Sequence, residues 1–106
     1  MKFLEFLKSS DINQDVEQFR SLDKAMLLDV RGVDEYAEGH IPGSVNIPLQ
    51  VLPTKKGLPE DLELPLFVYC RSGGRSRRAV AFLEKIGYEN VKNIGGIMNW
   101  NGDLEV

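Results

Sequence analysis

The chain has 106 residues, enough for one small domain with a single hydrophobic core and too few for two. Its composition, 42% hydrophobic and 27% charged, fits a soluble globular protein, and a net charge of -3 excludes general nucleic-acid binding, which calls for a basic surface. No apolar run approaches the ~20 residues needed to cross a bilayer, so no membrane role is expected.

Taken in order, residues 1–10 are expected to form an arm or a short helix, within which Glu5 and Lys8 break what would be a signal peptide's apolar region. That break points to the cytoplasm. Asp11 and Ile12 read as a very short strand, and Asn13 as the N-cap of a helix that presents Val16 and Phe19 and runs to about Leu22. Residues 25–30 read as a strand buried on both faces, as in a parallel sheet covered by helices, with Asp29 and Arg31 at its C-terminal end. Residues 33–38 read as a short helix, 39–43 as a turn and 44–47 as a short strand. Residues 49–63 read as an irregular surface connection with one or two helical turns near Glu60, Asp61 and Leu62. Residues 66–69 make the next strand, and it runs into Cys70. A helix follows, with Ala79, Phe82, Leu83 and Ile86 on one stripe and Gly87 as its C′ residue. Tyr88 and residues 91–94 give the last strand, and Gly95-Gly96 opens a final helical turn containing Ile97, Met98 and Trp100. Strands alternate with helices throughout, so the expected fold is α/β, a single domain over residues 1–106 with a mostly parallel sheet.

Cys70 is the sole cysteine, which excludes an internal disulfide; with His40 the sole histidine, an intrachain Cys/His zinc site is excluded too, and no metal or cofactor is expected. Cys70 is followed by Arg71, Ser72, Gly73, Gly74, Arg75 and Ser76. Four of the six arginines fall between Arg71 and Arg78, and no acidic residue lies between Leu64 and Leu83. A thiol between a strand and a helix N-terminus faces backbone N–H groups that have no partner in a preceding turn. Glycines let that backbone curl, and nearby arginines lower the thiol pKa. The arrangement suits a thiolate, a persulfide anion or a bound oxyanion such as thiosulfate, sulfite or phosphate. Arg75 is expected at the far side of the loop and Arg71 at its mouth. The plainer alternative for Cys70 is a buried structural thiol. A Walker loop is excluded, because no Gly-Lys-Ser/Thr follows.

Two blocks carry a family resemblance. The first comprises Leu28-Asp29-Val30-Arg31, Glu35-Tyr36, Gly39-His40-Ile41-Pro42-Gly43-Ser44 and Asn46-Ile47-Pro48. The second comprises Cys70 to Ser76 with Gly95-Gly96 and Trp100. Over roughly residues 11–102 the chain resembles a single-domain rhodanese of the rhodanese-like sulfurtransferase superfamily. The resemblance implies a parallel sheet of about five strands flanked by helices on both faces. It implies Cys70 as the nucleophile that carries a persulfide, residues 71–76 as the anion-binding loop, and Asp29 with Arg31 as a supporting pair. It further implies a small-molecule sulfur donor, thiosulfate or a persulfide, and an external thiol or protein acceptor. The acceptor must be external, because no second cysteine exists to resolve a persulfide.

Phosphatases and arsenate reductases of this superfamily space their loop as Cys, five residues, Arg. Here Arg75 follows Cys70 after only four, which favours sulfur as the atom attacked. A non-catalytic binding module is the remaining alternative, and it has no need of a thiol in an anion cradle. His40 reads as a structural part of its turn rather than a base for Cys70, Trp100 as packing, and Lys55-Lys56 as a solvated pair.

Overall fold

The element that orders the rest is β3 (Leu66–Cys70), whose five residues are all buried. It lies inside a four-stranded sheet formed with β1 (Met26–Asp29), β2 (Ser44–Asn46) and β4 (Val91–Gly96), in the order β2-β1-β3-β4 with every pairing parallel. The computed structural model describes residues 11–106, and the arm or helix expected over residues 1–10 lies outside them.

Because side chains alternate along a strand, β1 and β3 each feed two cores. Leu27, Phe67 and Tyr69 face one side, where α1 (Ile12–Ser21) packs Ile12 and Val16 against them. Leu28, Leu66, Val68 and Cys70 face the other, against Ala79 and Leu83 of α3 (Gly74–Lys85). The short α2 (Val33–Glu38) follows β1. The expected helix-flanked parallel sheet is therefore present, with four strands among the described residues rather than about five.

The difference in strand number lies at the start of the described chain. Asp11 and Ile12 do not form a strand: the Asp11 carboxylate accepts the Gln14 N–H at 2.9 Å, which makes Asp11 the N-cap and Ile12 the first helical residue. Asn13, expected as the cap, instead ties the helix to the C-terminal segment, donating to the Asn99 carbonyl and accepting from the Asn101 N–H. The connection after β2 also differs. Its helical turns lie at Leu49–Thr54, a 3-10 helix that buries Leu52, whereas Asp61 to Leu64 form only a turn. Gly95 and Gly96 end β4, and the 3-10 turn begins one residue later, at Ile97–Asn99.

α3 closes as its sequence indicates. Gly87 N–H bonds to Glu84 O and Tyr88 N–H to Leu83 O, the paired bonds of a Schellman motif with Gly87 at C′.

From β1 the chain steps outward to β2, then returns across β1 to place β3 and β4 on its other side. The order reverses between β1 and β3, so the carboxyl ends of these strands border the crevice where ligands of open α/β sheets bind. Asp29 ends one of them and Cys70 the other.

Candidate functional site

The alternation that buries Leu66 and Val68 under α3 also sends the Cys70 side chain to that side, directly beneath the N-terminus of the helix. Gly73 makes the turn possible. At φ +108 it occupies left-handed backbone space that a side chain would strain, and it serves as the N-cap of α3. Its N–H donates to Cys70 Sγ at 3.0 Å. Ser76, one turn into the helix and fully buried, sets its hydroxyl 3.4 Å from the sulfur. Burial pushes the Cys70 thiol up, but the Ser76 hydroxyl and the backbone N–H groups of Ser76, Gly73 and Ser72 outweigh it, so the pKa lies below that of a free thiol. The positive end of the helix dipole acts in the same direction.

The loop itself is held from β4. The Asn93 carboxamide accepts from Ser76 Oγ at 2.7 Å and from Gly95 N–H at 2.9 Å, and donates to the Gly73 carbonyl at 3.2 Å. Gly96 lies against the loop's backbone. A Cβ there would fall inside the van der Waals radius of the Arg71 carbonyl oxygen, so only glycine permits this approach. β4 accommodates the contact with a bulge: Val68 pairs with Asn93 and Tyr69 with Gly95, which leaves Ile94 as the extra residue.

Of the residues expected at the site, Ser72, Gly73 and Ser76 are brought to the sulfur. Gly74 forms the first position of α3, with open space where a side chain would be. Arg71 is exposed and lines a groove beside the loop. The Arg75 guanidinium is engaged with Glu35 of α2, donating from Nη1 at 2.7 Å and from Nη2 at 2.9 Å. This pairing, helped by the Gly32 N–H and opposed by burial, holds the Glu35 carboxyl down to about 2.

Asp29 and Arg31 form the expected supporting pair. Asp29 is fully buried and accepts from the Arg31 N–H, Nε and Nη2; Arg31 Nη2 also donates to the Gly39 carbonyl at 2.7 Å. The guanidinium lies over the Tyr69 ring. This locks the turn after β1 against β3, beside the loop. His40 takes no part in the loop: it stacks on Tyr36 at 3.7 Å and its Nδ1 is 2.9 Å from the Tyr36 carbonyl. Trp100 packs against the core on the α1 side and donates to the Asp103 carbonyl. Among the described residues no cluster of histidine, cysteine and carboxylate side chains suits a metal ion, and no helix is long and apolar enough to cross a membrane.

Sequence reasoning missed two residues that build this site. Asn93 gave no signal, since an asparagine in a strand pattern is indistinguishable from a solvent-facing one. Glu35 lies within the first block of the resemblance, but its partner lies 40 positions away.

The comparisons agree with this geometry. The sequence profile of the rhodanese-like domain matches residues 13–103. A sulfurtransferase of Allochromatium vinosum is 35% identical over 86 residues, covering 79% of this chain and 78% of that protein. An adenylyltransferase and sulfurtransferase of Ogataea parapolymorpha is 40% identical over 91 residues; the match covers 85% of this chain but only 23% of that longer protein. The crystal structure of a rhodanese-like domain protein from Staphylococcus aureus superposes with a TM-score of 0.79 at 28% identity, covering 94% of this chain and 98% of that one. With this profile spanning most of its length and this fold around its cysteine, the chain belongs to the rhodanese-like domain family.

Proposed function

We propose that the chain is a sulfurtransferase in which Cys70 alternates between thiolate and persulfide. The observation that carries this reading is the cradle around Cys70 Sγ, in which the Gly73 N–H and the Ser76 hydroxyl face a thiol whose pKa is lowered. With thiosulfate as donor, the Cys70 thiolate attacks the outer sulfur. The sulfur–sulfur bond of thiosulfate breaks, sulfite leaves with the bonding pair, and Cys70 holds a persulfide anion. That anion is one sulfur longer and occupies the space at the loop mouth, where N–H donors and the helix dipole stabilise it. A thiolate acceptor then attacks the terminal sulfur, and the bond to Cys70 breaks to regenerate the thiolate. Asp29 and Arg31 support the crevice and touch no reacting atom.

The same fold with a longer loop suits phosphate. Four residues between Cys70 and Arg75, with Arg75 already paired to Glu35, favour sulfur. Steady-state assay with thiosulfate and cyanide tests the proposal, run beside hydrolysis of an aryl phosphate. Thiocyanate formation that disappears in Cys70→Ser is expected. Faster aryl-phosphate hydrolysis than sulfur transfer would favour the phosphatase reading instead.

A further inference from the structure

A groove of ≈ 480 Å³ runs beside the Cys70 loop, and Arg71 is the one loop residue that lines it. It is far larger than a single inorganic anion, and its charges are unevenly used. Arg31 and Glu35 face it, but they are paired with Asp29 and Arg75. Arg71 and Glu38 face it too. Both are exposed, and neither side chain has an ion pair or hydrogen bond among the described residues. The groove therefore offers one open cation next to Cys70 and one open anion.

Its remaining wall is apolar and unusually exposed. Met98 is 64% and Leu104 56% accessible, and Ile97 lies with them. Leu104 is held in place rather than trailing. Glu105 and His40 exchange backbone hydrogen bonds, 2.9 Å in each direction, and the Leu104 side chain packs over Gly39, its Cδ1 3.3 Å from where a Cβ would stand.

We propose that this groove binds the organic partner of sulfur transfer, a thiol or persulfide of short-peptide size that carries both a free carboxylate and a free ammonium group. The carboxylate pairs with Arg71, the ammonium with Glu38, and the carbon skeleton lies on Met98 and Leu104. Glu38 and Leu104, neither of them in the cysteine loop, thereby set which thiol is accepted. The inference rests on the sulfurtransferase reading. In the step it governs, the bound thiolate attacks the terminal sulfur of the Cys70 persulfide, the bond to Cys70 Sγ breaks, and the Cys70 thiolate and the partner's persulfide are the products.

The test is single-turnover discharge of protein loaded beforehand with thiosulfate, followed by the loss of one sulfur from the protein mass. Three acceptors of matched size serve as probes: the dipeptide Cys-Gly, its C-terminal amide and its N-acetyl derivative, with rates expressed per thiolate. Removal of either charge is expected to slow discharge at subsaturating acceptor by about two- to fivefold, the range for a partly exposed ion pair. Glu38→Lys is expected to erase the penalty for N-acetylation while keeping the penalty for amidation. Leu104→Ser is expected to slow discharge by all three probes. Equal per-thiolate rates for the three probes on the unsubstituted protein, or a Glu38→Lys variant that ranks them as before, would overturn the inference and leave sulfur transfer standing. A protein that takes up no sulfur from thiosulfate would overturn both.

Discussion

Arg75, in the first turn of α3, holds Glu35 of α2 in a two-pronged pair of 2.7 and 2.9 Å. The contact clasps α2, which follows β1, to α3, which follows β3, across the crevice. Both side chains are 37% exposed, so solvent screens the pair and it is worth at most about 1 kcal/mol. The Glu35 carboxyl titrates at about 2 in the folded chain against an ordinary 4.5, and a depressed acid stabilises the fold only while it is ionised. Its contribution is complete above pH 4.5 and is lost as pH falls from 4.5 toward about 2. Urea unfolding of Glu35→Gln should show a loss of up to about 1 kcal/mol at pH 7, and that difference from the unsubstituted protein should shrink toward zero at pH 2.

The contact between Gly96 and the Arg71 carbonyl makes a sharp contrast between two glycines. Gly96→Ala forces backbone against backbone, and a cost of about 1–3 kcal/mol is expected, with displacement of the Cys70 loop and slower sulfur uptake. At Gly74 a Cβ meets nothing within 4 Å, and the residue lies in the first turn of α3. Gly74→Ala should stabilise the chain by about 0.4–1 kcal/mol through the unfolded state. Denaturation midpoints of the two variants check both signs.

The Ser76 hydroxyl has one proton and several acceptors: Asn93 Oδ1 at 2.7 Å, the Gly73 carbonyl at 3.1 Å and Cys70 Sγ at 3.4 Å. With a neutral thiol the closest oxygen takes that proton; with a thiolate the charge draws it to sulfur. Ser76→Ala should therefore raise the thiol pKa, because the thiolate loses its side-chain hydrogen-bond donor. The pH dependence of Cys70 alkylation by iodoacetamide reports it. The rate should fall with decreasing pH in both proteins, and at a higher pH in the variant.

Asp29 is buried and holds Arg31 through four hydrogen bonds, one from the backbone and three from the guanidinium. Asp29→Ala leaves a buried guanidinium with the Gly39 carbonyl as its remaining acceptor among the described residues, and a loss of about 3–5 kcal/mol is expected in urea unfolding.

The sequence made the strands and the loop legible because their signals are local. The apolar run into Cys70 and the stripe of Ala79, Phe82 and Leu83 out of it place the thiol at a helix N-terminus without knowledge of any other element. The range 33–38 for α2 matched the structure at both ends. What escaped were relationships between distant segments. Glu35 and Arg75 meet across the crevice, Ser76 meets Asn93 through a bulged strand pair, and Gly96 reads as a turn residue until the loop it touches is known. The helix start at Asp11 is ambiguous in the sequence for a different reason. Asp11 and Asn13 are both good caps, and the choice between them depends on Asn99 and Asn101, which occupy the Asn13 side chain.

Intact-mass and peptide-level mass spectrometry after incubation with thiosulfate tests the proposed chemistry most directly. The expected result is a gain of one sulfur atom on the peptide that contains Cys70, removed by a thiol and absent in Cys70→Ser. An unchanged mass for the unsubstituted protein, or a gain that persists in Cys70→Ser, would contradict it.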